Sequence, residues 1–168
     1  MKPNRAWHFT GPKLRDGSPI PRVGKWLVYT GPLVICETGL HASLQPFDAL
    51  QYAPGNLLHL VEYGGKIIMQ PDKLCCSRRK IIVSMDAEPL LRYFTRMHAL
   101  SVVHLWDAPE IVLDFLMGDD AASDAASDAA SAAASAAAWA ASDAARAAAW
   151  AARLDFNTLV LGAFEDWL

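Results

Sequence analysis

The sequence predicts an α+β protein: a small antiparallel or mixed sheet followed by helices, the last of them long and alanine-rich. Three observations carry this. Short apolar runs with strand-like alternation, separated by Gly and Pro punctuation, fill residues 6–83. After Asp86 the apolar spacing changes to that of a helix. From residue 121 to 152, 21 of 32 residues are alanine, the strongest helix former. Strands first and helices afterwards favour α+β over a doubly wound sheet.

Residues 6–10 read as a first strand, closed by Gly11-Pro12. Residues 13–24, with Asp16-Gly17-Ser18-Pro19 and Pro21, form a turn-rich loop. Residues 25–29 and 33–36 are strand-like runs joined by Gly31-Pro32, a spacing that suggests a hairpin. A short helix is expected from Pro46 to Tyr52, stopped by Pro54-Gly55. Residues 57–63 form the best candidate for a central strand, which Gly64-Gly65 turns into residues 66–69. A further strand runs over residues 74–83. Asp86 or Glu88-Pro89 signals the helix that carries Leu90, Leu91, Phe94, Met97 and Leu105. Pro109 starts a second short helix reaching Met117.

These elements divide the chain into a body, residues 1–118, and a tail, residues 119–168. The body carries 13 Lys/Arg against 10 Asp/Glu, and the tail 2 against 8. A mildly basic body and an acidic helix attract one another, within one molecule or between copies. Asp119 and Asp120 suit a helix N-terminus, whereas Arg146 and Arg153 suit the C-terminal end. At about 100° per residue, Asp128, Trp139, Asp143, Arg146 and Trp150 share one stripe, with Asp124 at its border. This stripe is the candidate partner-binding surface or homodimer seam; the rest of the circumference is nearly all alanine. The final apolar residues, Leu154 and those from Phe156 to Leu168, read as core residues and are expected to fold back onto the body after a turn at Asp155-Phe156-Asn157.

Chemical signatures are few. The glycines never fall in a phosphate-cradling order, and no HExxH or Cys-x-x-Cys spacing supports a metal. No cofactor is expected. Three cysteines, two of them adjacent, give no disulfide framework. No apolar run reaches a membrane span, and no signal core opens the chain, so a cytoplasmic protein is expected. The basic cluster is Arg78, Arg79 and Lys80. On a strand Arg79 faces one side and the other two the opposite side, so the cluster reads as a solvated edge strand. Direct nucleic-acid binding is not expected.

Two resemblances add to this reading. Residues 36–43, 46–55, Val61-Glu62 and 65–68, with Trp7-His8-Phe9 and residues 104–109, resemble an uncharacterised phage and prophage family with Ala/Trp/Asp/Arg-repeat tails. That resemblance implies a phage origin. It suggests a non-enzymatic binding protein acting on a host protein partner, such as a CRISPR effector complex, in the host cytoplasm. Second, Gly39-Leu40-His41-Ala42-Ser43, then Ala49, Tyr52 and the strand 57–62, are similar in layout to the middle of ADP-ribosyltransferases. There a histidine near the first strand holds NAD, and a later Glu completes the site. His8 matches the first, His41 stands where the family has Tyr, and no Glu matches. His8, His41 and Tyr52 are the catalytic candidates this resemblance implies.

Overall fold

The computed structural model describes residues 4–105, 108–118 and 142–168; for residues 102, 105 and 142–150 the backbone alone is described. The architecture is α+β, with an antiparallel sheet of five strands in the order β1-β4-β5-β2, and β3 pairing a different stretch of β5.

Strand β1 (Arg5–Thr10) pairs with β4 (Leu57–Met69), which pairs along its length with β5 (Leu74–Asp86). Short strands β2 (Trp26–Val28) and β3 (Leu40–Ala42) lie against successive parts of β5, at Arg78–Lys80 and Leu74–Cys76. Just beyond β3, Ser43 exchanges two backbone hydrogen bonds with Trp7, at 2.7 and 2.9 Å. The sheet therefore curls until its β3 side meets β1. Inside the curl, Ala6, Ala42, Val61, Leu74, Cys76 and Ile81 form one buried cluster. These small and branched side chains suit a tight concave face.

Two expectations at glycine and proline positions change. The hairpin expected from residues 25–36 does not form. Instead, the run after Gly31-Pro32 closes on itself: Val34 and Thr38 bridge, and the Thr38 hydroxyl donates to the Pro32 carbonyl at 2.7 Å. Cys36 at its tip has φ of +70°. Gly64-Gly65 does not end a strand either. Residues 57–69 are one continuous strand with an irregularity between Gly64 and Ile67. Gly65 has φ of +76°, and a Cβ there would stand 2.2 Å from Ser77 Oγ. Only glycine allows that bulge, so the strand kinks and continues.

Helix α1 (Pro46–Leu50) carries its proline in the first turn. Helix α2 (Glu88–Val102) begins where Asp86 accepts the Glu88 N–H at 3.0 Å. Helix α3 (Glu110–Met117) starts after Pro109 and stops at Gly118. Helix α4 (Ser142–Ala163) runs unbroken through residues 155–157, so the expected turn there is absent. No Gly or Pro stands between residues 142 and 161 to break it. Of the apolar residues expected in the core, Phe156, Val160 and Phe164 are buried, whereas Leu154, Leu161, Trp167 and Leu168 are exposed.

The chain forms two compact units: Met1–Pro89 with Asn157–Leu168, and Leu90–Phe156. In the first, Trp7 meets Phe164 edge-on at 5.0 Å, and Asn157 Oδ1 accepts the Phe47 N–H at 2.8 Å. In the second, Phe94 packs on Phe156 at 4.9 Å, and Val112 and Leu116 are buried against Ala99, Leu100 and Phe115. Among the described residues no helix is long and apolar enough to cross a membrane.

Candidate functional site

The register of β1 and β4 places His8 opposite His59. Strand residues paired in this way share a face, and their rings lie 6.3 Å apart. Thr10, two residues after His8, lies on the same face, and its Oγ1 stands 2.8 Å from His59 Nε2. On the other side of β4, Ser84 is opposite His59, and its Oγ lies 2.7 Å from Nδ1. Both nitrogens of His59 are thus engaged by hydroxyls. Burial, and then the Arg79 charge, push its pKa down to about 4, so the ring is neutral at neutral pH.

Arg79 stands on β5 opposite Tyr63 and Leu27. Alternation along the strand does put it on the side opposite Arg78 and Lys80. Those two lie over the Trp26 ring at 4.6 and 4.7 Å, and Lys80 pairs with Glu62 at 2.8 Å. The expected solvated edge strand is corrected, however. Strand β5 is interior, and Arg79 is only 6% exposed. Its guanidinium donates to the His41 carbonyl, leaving its other N–H donors without a hydrogen-bond partner among the described residues. Among those residues no carboxylate pairs with it either. Burial pushes its pKa down to about 10, which still leaves it a cation at neutral pH.

The Nε2 of His41 accepts the Cys36 N–H at 3.0 Å. Burial and the Arg79 charge lower its pKa. His8 differs. It makes no side-chain hydrogen bond among the described residues. Its pKa is held well below the usual imidazole range by burial first, then by Arg79, His59 and His41. Partly buried, neutral and uncommitted, His8 is the imidazole with capacity to spare. The arrangement is one buried cation and one available imidazole, framed by two fixed histidines.

The candidates from sequence separate accordingly. His8 and His41 are brought together with Arg79. Tyr52 belongs elsewhere: its hydroxyl donates to Asp72 and receives Lys73 at 3.2 Å. His59 was missed as a site residue because its partners lie 49 and 25 residues away. The one available signal was the His-x-Thr of β1 pairing with the His of Leu58-His59-Leu60. Asp124, Asp128 and Trp139 lie outside the described residues, as do the side chains of Asp143, Arg146 and Trp150. Among the described residues no group of His, Cys, Asp and Glu is arranged to hold a metal ion.

The sequence model of a family described as a domain of unknown function, DUF7666, matches residues 5–93, just over half the chain and every strand of the sheet. No curated protein and no solved structure matches.

Proposed function

The chain belongs to the DUF7666 family, and we propose that this domain captures a phosphate-bearing dinucleotide of the NAD class through Arg79 and His8. The observation that carries the reading is the buried guanidinium with a single hydrogen bond and no paired carboxylate. A buried cation ordinarily has a counter-ion, and none of the Arg79 nitrogens is among the fully buried side-chain atoms that lack a partner, so the donors not used by His41 can be reached by a ligand. A phosphate supplies both the charge and the acceptors, and its planar pairing with guanidinium can be bidentate. His8 then donates its N–H to a second oxygen.

The choice of a dinucleotide rests on the resemblance to ADP-ribosyltransferases, in which a histidine on the first strand holds NAD. The same comparison favours binding without transfer. The groups whose charges act on His8, His41 and His59 include no carboxylate, so no group of the described site takes the role of the transferase glutamate. A phosphate ligand requires no acid of this kind.

Calorimetric titration with NAD and with ADP-ribose tests this. Both should bind. Arg79→Lys and His8→Ala should each weaken binding at least about tenfold, or about 1.4 kcal/mol. Labelled NAD should be recovered intact after long incubation. Absence of binding at millimolar ligand would remove the proposal, and release of nicotinamide would replace it with an enzyme.

A further inference from the structure

The side of β5 opposite Arg79 gathers aromatic and basic side chains. Across the sheet, Glu62, Lys80 and Trp26 stand in one row, and Gly64, Arg78 and Val28 in the next. Paired strand residues share a face. The Arg78 guanidinium and the Lys80 ammonium both lie over the Trp26 ring, at 4.6 and 4.7 Å. Glu62 pairs with Lys80 at 2.8 Å, whereas Arg78 is exposed and has no carboxylate partner among the described residues. Further cations adjoin this face. Arg22 and Lys25 belong to the exposed turn that leads into β2, closed by the Lys25 N–H on the Arg22 carbonyl at 3.1 Å. Lys66 is exposed, and its N–H donates to the Oγ of Ser77, the residue before Arg78. The row beside Arg78 is bare on one side, because a Cβ at Gly64 would meet nothing within 4 Å.

We propose that this face binds single-stranded nucleic acid, with one base stacked on Arg78 over Gly64 and the neighbouring cations on the phosphates. Charge complementarity selects a polyanion: Arg22, Lys25, Lys66, Arg78 and Lys80 face the single carboxylate of Glu62. The geometry then selects the kind of polyanion. A guanidinium plane stacks on a base, and Trp26 holds this one over the sheet. The bare floor at Gly64 leaves room for a flat ring, for which an acidic peptide has no use. A duplex hides its bases, whereas an unpaired strand turns them outward. The sequence alone offers only a basic cluster split by alternation. Strand pairing joins its exposed half to Trp26 and Gly64, which lie 52 and 14 residues from Arg78. The chain as a whole carries a charge of −3, so the attraction is local and sensitive to salt. The inference does not depend on a ligand at Arg79.

Labelled oligo-U and oligo-dT of about 12 nucleotides are titrated with the full chain at low salt and followed by fluorescence anisotropy, beside a duplex of equal length and a polyglutamate peptide. Both single strands should bind, more tightly than the duplex, and log Kd should rise linearly with log salt. Arg78→Ala should weaken binding about tenfold and reduce the salt slope by about 0.7. Gly64→Val, which places its side chain in open space, should weaken binding about tenfold with the slope unchanged. That difference separates the floor from the charges. Lys73→Ala, beside Tyr52 before the start of β5, should alter neither quantity. Absence of binding at low salt would overturn the proposal. So would equal affinity for the duplex or for polyglutamate, or a Gly64→Val protein that binds like the wild type.

Discussion

The Arg79 guanidinium donates to the backbone carbonyl of His41, so the centre of β5 is tied by its side chain to the β3 strand it also pairs with. Ladder and side chain act together. The cation is held in place by the fold itself, and the donors not used by His41 are those proposed to take the anion. Preorganisation of this kind lowers the ordering cost of binding.

The histidines make stability pH-dependent. His59 has a folded pKa of about 4, below the unfolded value of about 6.5. As pH falls below about 6.5 the unfolded chain takes up this proton first, so stability falls until about pH 4 and then levels. The shift corresponds to a loss on the order of 3 kcal/mol. His8 and His41 shift in the same direction and add to it. Urea unfolding from pH 7.5 to 4 measures the slope, and His59→Gln should flatten it.

Much of the fold is visible in the sequence because it rests on local chemistry. The first strand is bounded by Gly11-Pro12, Asp86 caps α2, and Pro109 and Gly118 bracket α3. What escapes is non-local. Whether Gly64-Gly65 turns or bulges depends on Ser77 across the ladder. Residues 33–36 carry the alternation of a strand but close through Thr38 instead. Alternation does separate Arg79 from Arg78 and Lys80, yet its burial, with its side chain reaching the His41 carbonyl, depends on non-local pairing, which no local pattern reveals. The site is therefore only half legible: His8 and His41 stand out through a family resemblance, while Arg79 and His59 emerge with the sheet.

Phe164 is 2% exposed and meets Trp7 edge-on. Phe164→Ala should cost about 3–5 kcal/mol, read by urea unfolding. Trp167, 51% exposed, is an internal comparison: Trp167→Ala should stay within about 0.5 kcal/mol.

Gly39 precedes β3 with φ of +98°, and a Cβ there would lie 2.4 Å from Cys75 Sγ and 2.7 Å from Leu33 Cδ2. Gly39→Ala adds the left-handed backbone cost of about 1–2 kcal/mol to overpacking of about 1–3 kcal/mol. Because Gly39 lies two residues before His41, whose carbonyl holds Arg79, the same substitution should weaken dinucleotide binding.

Bound phosphate should pull protons onto the site. An anion beside His8 raises an imidazole pKa that the free protein holds well below its ordinary value. The bound pKa then exceeds the free one, so affinity rises as pH falls from neutrality toward the free-state value. Calorimetry of ADP-ribose binding in buffers of different ionisation enthalpy, near pH 6, should report net proton uptake.

The central claim is that Arg79 and His8 hold the anion. The five histidine rings provide the most direct test, by long-range proton–nitrogen NMR during an ADP-ribose titration. The account predicts a saturable shift at His8, smaller shifts at His41 and His59, and none at His98 or His104. Unmoved resonances at His8, or equal shifts at all five rings, would contradict it.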